Sequence, residues 1–161
     1  MTKTQTGIVV ALGLVIISAG AYLAFFTPQA QAPTVTQDPA QQGKATYANA
    51  TENDIVVTLP FPGAVTGKEF SVIGKARGYW FFEASFPVFL YDEAGNELAV
   101  GLGSPQPEGT EWMTTEFVNF KADIVAPQSY IGKATLVLKR DNPSGEPEND
   151  ASISIPITVE Y

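Results

Sequence analysis

The sequence predicts an all-β domain, a two-sheet β-sandwich of seven or eight strands, preceded by one N-terminal transmembrane helix. Three observations carry this expectation. From Asp54 onward, short runs of β-branched and aromatic residues alternate with Gly, Pro, Asn and Asp punctuation. Within those runs apolar and polar side chains alternate with a period of two, and no stretch carries a helical period. Residues Gly7 to Phe26, by contrast, form an unbroken apolar stretch of twenty positions.

That first segment reads GIVVALGLVIISAGAYLAFF and contains no charge. About 20 apolar residues is the length a helix needs to cross a ~30 Å hydrocarbon core. Lys3 lies in the short residue 1–6 terminus, and no Lys or Arg follows until Lys44. The positive-inside rule then keeps the N-terminus in the cytoplasm and sends the remainder outside. Tyr22, Phe25 and Phe26 fall where an interfacial aromatic belt would lie. The expected location is the plasma membrane, single-pass, with the domain outside the cell or in the periplasm. Two other processing readings stand beside this signal anchor. Ala30-Gln31-Ala32 has the spacing of a signal-peptidase site, although Pro33 would hinder cleavage there. A pilin-like assembly subunit cleaved after Gly7 is the other, without the early acidic residue expected of such a helix.

Thr27 to Asn53 is rich in Pro, Ala, Gln and Thr and nearly devoid of large aliphatics. Such a composition cannot bury enough surface to offset its ordering entropy, so it reads as a tether. The domain is then residues 54–161. Its expected strands are Ile55–Leu59, Phe70–Lys75, Tyr79–Phe86, Val88–Tyr91, Leu98–Leu102, Trp112–Ile124, Ile131–Lys139 and Ser152–Glu160. Asp92-Glu93-Ala94-Gly95-Asn96 reads as a hairpin turn with Gly95 at positive φ.

Parity assigns the faces. Trp80, Phe82, Ala84, Phe86, Val88 and Leu90 occupy successive even positions and are all apolar, which predicts one face pressed into the core. Trp80, Phe82, Phe86, Val88 and Leu90 are therefore the expected core of this region. Pro87 cannot donate to a ladder, so the strand must lie at an edge there, bulge, or change sheets. Val118, Phe120, Ala122 and Ile124 face inward by the same rule, as do Ala134, Leu136 and Leu138, and Ile153, Ile155, Ile157 and Val159. Pro156 marks the last strand as an edge strand.

Composition narrows the chemistry. Seventeen acids oppose nine bases, and the domain itself carries fifteen acids and seven bases. Such a surface repels phosphate backbones and anionic lipid heads, which argues against nucleic acid as a partner and against electrostatic docking on a membrane. There is no Cys and no His. This removes thiolate catalysis, histidine triads, Cys/His zinc sites and disulfide staples. No cofactor and no metal site is expected, and no local motif offers a nucleophile–base set or a carboxylate pair. The expected protein is not an enzyme.

With these residues in view, the domain resembles the Gmad2 family, the immunoglobulin-like domain of bacterial spore germination proteins. The resemblance rests on Pro60-Phe61-Pro62-Gly63-Ala64 and Phe70-Ser71-Val72-Ile73-Gly74-Lys75-Ala76-Arg77-Gly78. It continues through Trp80-Phe81-Phe82-Glu83-Ala84-Ser85-Phe86-Pro87-Val88, Trp112-Met113-Thr114-Thr115 and Asn142-Pro143-Ser144-Gly145. It implies an extracytoplasmic, immunoglobulin-like module of the cell envelope.

Seven residues stand out as binding candidates. Arg77 and Glu83 bracket the aromatic run; they read either as a structural ion pair, with Arg77 stacked on Trp80 or Trp112, or as an acid working on a ligand. Tyr79, Phe81, Phe89, Tyr91 and Trp112 are the aromatics left over from the clearest core face. They would build a protein interface, lie under the Gly103–Thr110 loop, or stack on sugar rings. Asp141 to Asp150 places four acids in ten residues, which reads as a solvated hairpin loop or as a calcium site. The expected function is a non-catalytic module anchored in the membrane that binds an envelope protein; the alternative is a wall-polysaccharide binder using surface aromatics beside Glu83.

Overall fold

The computed structural model describes residues 43–161. The expected membrane helix Gly7–Phe26, and the tether as far as residue 42, lie outside the described residues. Nine strands build the domain: β1 (Thr46–Ala48), β2 (Ile55–Leu59), β3 (Val65–Thr66), β4 (Glu69–Arg77), β5 (Phe86–Asp92), β6 (Glu97–Pro105), β7 (Phe117–Val125), β8 (Gly132–Lys139) and β9 (Ser152–Val159). Hydrogen bonding runs in the order β1-β9-β8-β5-β6-β7-β4-β2, and β3 pairs with β9.

This single path folds over itself at β6. Phe86 to Tyr91 of β5 pair with Gly103 to Glu97, whereas Ser104 and Pro105 pair with Lys121 and Phe120 of β7. One strand therefore serves both sheets, and the inner faces close on a shared core. From the first sheet come Phe86, Val88, Leu90, Leu136, Leu138, Ile153 and Ile155; from the second come Ile55, Val72, Phe120 and Ile124. Phe86 is the centre, meeting Trp80, Phe81 and Phe120 edge-on at 6.4, 5.1 and 5.0 Å between ring centroids. Such T-shaped contacts add about 0.5–1.5 kcal/mol each beyond area burial.

The period-two assignments hold for β7, β8 and β9, where every expected inward residue is buried. Four expectations need correction. The tether stops earlier than Asn53, because Thr46–Ala48 pairs with Ser154–Ser152 of β9. Trp112 to Glu116 is loop, so the expected long strand is shortened to β7.

Tyr79 to Ser85 is not a strand. Gly78–Trp80 makes a 3-10 turn, and Phe82 and Ser85 then close a two-residue turn around Glu83 and Ala84. These turns shift the parity: Phe81 is 4% exposed and Phe82 is 42% exposed, so Phe82 leaves the expected core and Phe81 enters it.

Pro156 is accommodated differently from the expectation that β9 is an edge. β9 pairs with β8 along its whole length, and its outer side is covered by β1 at Ser152–Ser154 and by β3 at Thr158–Val159. Pro156 falls in the gap between those two partners. Its carbonyl accepts from the Gly63 N–H at 2.7 Å on that outer side, where its missing donor is not needed. Pro87 likewise sits where β5 has one neighbour, since pairing with β8 begins only at Val88.

Candidate functional site

The seven candidates do not form one site. Arg77 ends β4, and its guanidinium reaches back toward the N-terminal turn. Nε donates to the Asn53 carbonyl at 2.9 Å, and Nη1 donates to the Thr115 carbonyl at 3.1 Å. The guanidinium lies 4.0 Å over the Phe117 ring and 3.8 Å from the Glu116 carboxylate. The expected pairing with Glu83 and stacking on Trp80 or Trp112 are thus replaced by Glu116 and Phe117. The reason is the 3-10 turn at Gly78–Trp80, which redirects the chain before Glu83 is reached.

Tyr79 belongs to the same clamp. Its hydroxyl donates to Asp54, which also accepts from the Thr51 N–H at 2.7 Å and the Thr51 hydroxyl at 2.9 Å. The Tyr79 bond is the main cause that holds the Asp54 carboxyl below the ordinary carboxylate range. Desolvation, then that same carboxylate, pushes the Tyr79 phenol up. Arg77 and Tyr79 therefore fasten the Thr51–Asp54 turn to the sandwich. Phe81 is core. The buried Trp80 Nε1 finds no hydrogen-bond partner among the described residues.

The turn that carries Glu83 reaches the neighbourhood of Trp112 through Ala84, not through Glu83 itself. Glu83 and Ala84 have φ of 50° and 59°, the left-handed region that L side chains avoid. Ala84, the half-buried Trp112, Gln106, Glu108 and Glu111 line an open cleft of about 600 Å³. The cleft is built where it is because Gly78 lets the Trp112–Thr114 backbone lie directly against it; a Cβ at 78 would overlap the Trp112 and Thr114 carbonyls. Ser104 and Pro105 at the end of β6, with Gln106 to Thr110 after it, therefore form the cleft wall beside Trp112, so the expected Gly103–Thr110 loop is strand as far as Pro105. Glu83 makes no ion pair among the described residues.

Phe89 and Tyr91 lie apart, on the outer face of the first sheet. Their rings stack at 5.8 Å with planes 23° apart, and the Lys139 ammonium sits 5.0 Å over Phe89. Register places Leu102 opposite Pro87 and Val100 opposite Phe89, with Val137 on the other flank. Val100 and Leu102 are each more than half exposed. A continuous apolar strip thus crosses β6, β5 and β8.

Sequence reasoning missed Val100 and Leu102 because aliphatics in a strand read as inward. The signal was present in Gly101 and Gly103. A Cβ at Gly103 would strike the Phe86 ring, and one at Gly101 would meet the Asp123 carbonyl at 2.6 Å. The glycines face in, so the aliphatics must face out.

No group of three or more Asp or Glu residues stands ready to hold a metal among the described residues. In the Asp141–Asp150 loop, Asn142 Nδ2 donates to the Glu146 carbonyl at 2.9 Å and to the Asp150 carboxylate at 2.8 Å, closing the turn on itself. No described helix is long and apolar enough to cross a membrane.

Residues 54–146 match a protein family described as Gmad2, the immunoglobulin-like domain of bacterial spore germination. No curated protein and no solved structure matches the chain.

Proposed function

Because this chain belongs to the Gmad2 family, we propose that it works as a non-catalytic binding module, held outside the cytoplasm by its N-terminal apolar segment and engaging another envelope protein. The observation that carries the reading is the strip formed by Leu102, Pro87, Val100, Phe89, Tyr91 and Val137. Apolar side chains paired in register on an outer sheet face resemble half of a packed interface, with aromatics where interfaces favour them. The flat face offers a partner surface and no concave arrangement of acid and base.

Site-specific photocrosslinking in cells tests this. A crosslinker at Val100 or Leu102 should capture a discrete protein species, whereas one at Asn119, on the outer face of the second sheet, should not. Equal capture from both faces would refute the assignment. Recovery of the full chain in the soluble cytoplasmic fraction would refute the location.

A second reading is supported by the cleft: one aromatic with carboxylate and amide neighbours is a setting in which sugar rings stack and hydrogen-bond. Retention on purified wall polymer should then fall at least tenfold on Trp112→Ala. Unchanged retention removes this reading.

A further inference from the structure

Five exposed apolar residues outside the strip and the cleft gather at one place, while Leu59 and Ile73 lie on β2 and β4 and Phe82 lies in the turn before β5. β9 runs toward Val159, and around its end lie the β2–β3 loop, the β7–β8 loop and the C-terminal residue. Register fixes this: Val65 pairs with Thr158, Val159 pairs with Gly132, and Val125 pairs with Glu69. Phe61, Val65, Val125, Ile131 and Tyr161 are each more than half exposed there. Isolated exposed apolar residues need no explanation, but five around one pole form a patch.

The two loops are also uncharged. No Asp, Glu, Lys or Arg occurs from Ile55 to Gly67 or from Ile124 to Gly132. Charges near this pole are Lys68, whose ammonium donates to the Tyr130 carbonyl, Glu69, Lys133, Glu160 and the acidic hairpin of Asp92, Glu93 and Glu97, all outside those loops in sequence. The loops of the opposite pole contain ten acids, among them Glu83, Glu108, Glu111, Glu146 and Glu148. Among the described residues, one end therefore presents two uncharged loops with exposed apolar side chains flanked by charges, and the loops of the other end are strongly anionic.

The course of the chain says which end approaches lipid. β1 is antiparallel to β9, pairing Ala48 with Ser152 and Thr46 with Ser154. Traced toward the N-terminus, β1 therefore heads for the level of Pro156, where Gly63 of the β2–β3 loop is bonded. The chain reaches the domain on the flank of the apolar pole. Sixteen residues separate Phe26 from Gly43. Any chain of sixteen residues spans at most about 55 Å fully extended, and about 20 Å root-mean-square as a random coil. At that distance weak apolar contacts act at high effective concentration.

We infer that the apolar pole, with Phe61 and Val65 leading, docks on the outer surface of the bilayer that holds the chain, turning the Trp112 cleft and the acidic pole away from it. The contact is apolar, because anionic headgroups repel a domain of this charge; salt should weaken it little. The inference rests on the membrane-anchor reading, and the test separates the two.

The protein has no cysteine, so a single Cys introduced at Phe61, Val65, Ile131, Glu108 or Glu148 accepts one environment-sensitive fluorophore. The labelled full chain is reconstituted into vesicles of phosphatidylethanolamine and phosphatidylglycerol, some with spin-labelled acyl chains. The inference expects blue-shifted emission and several-fold stronger lipid quenching at 61, 65 and 131 than at 108 and 148. Phe61→Asp with Val65→Asp should abolish quenching at 131 while the chain still floats with vesicles. Flotation without quenching at 61, 65 and 131, or with equal quenching at both poles, overturns the docking and leaves the anchor standing. Failure of the chain to float overturns both.

Discussion

Tyr79 and Asp54 decide how the first turn of the domain is held. The bond between them is charge-assisted and partly solvated, so Tyr79→Phe should cost about 1 kcal/mol, read as a lower melting temperature at neutral pH. Because the folded-state pKa of Asp54 is depressed, its contribution is present above the unfolded value and lost as pH falls through the folded one. The Tyr79→Phe penalty should therefore shrink in acid; a penalty constant with pH would refute the clamp. Ala84 is the opposite case, a residue that opposes its own backbone. At φ of 59° an L side chain costs about 1–2 kcal/mol, so Ala84→Gly should raise the melting temperature by a few degrees. Neither effect is visible in sequence, because both follow from where the 3-10 turn sends the chain.

At the scale of elements, the aromatic run provides the sharpest contrast. Phe81→Ala empties a site beside Phe86 and should cost about 3–5 kcal/mol; Phe82→Ala should stay below about 1 kcal/mol. Denaturant unfolding of the two variants checks this directly, and parity alone would have predicted the reverse. Parity succeeded in β7, β8 and β9, which are uninterrupted strands. It failed from Tyr79 to Ser85, because a 3-10 turn and a two-residue turn each break the alternation. In β6 the alternation was present with its meaning inverted. Gly101 and Gly103 surrender inner space to Ile124 and Phe86, so Val100 and Leu102 are left outside. The Pro156 prediction had the right physics, an absent donor that needs no ladder partner. What sequence lacked was the gap between β1 and β3 that supplies the same relief.

For the whole molecule, charge and titration make one prediction. No His and no Cys is present, so no side chain has an ordinary pKa between about 5 and 8. Asp54, Asp92 and Asp123 are held below the ordinary carboxylate range by hydrogen bonds, and their contributions disappear only in acid. Tyr47, Tyr79, Tyr91 and Tyr130 are pushed up chiefly by burial, and stability linked to them is lost only as pH rises through their folded values. The melting temperature should stay flat from about pH 5 to 9 and fall on both sides. A midrange step would contradict this.

Alternation and composition alone determined that the domain is β-rich, which residues of its regular strands face inward, that thiol and imidazole chemistry is absent, and where an apolar segment of membrane length lies. These are local properties, encoded within a few residues of each other. Tertiary structure alone decided that Arg77 grips Asn53 and Phe117 instead of Glu83, that Phe81 and Phe82 exchange places, and that Val100 with Leu102 forms a face. Those outcomes depend on β6 crossing between sheets and on turns that reverse the sense of a side chain. A period-two pattern carries no record of either, because it fixes which residues share a face but not which face the fold will bury.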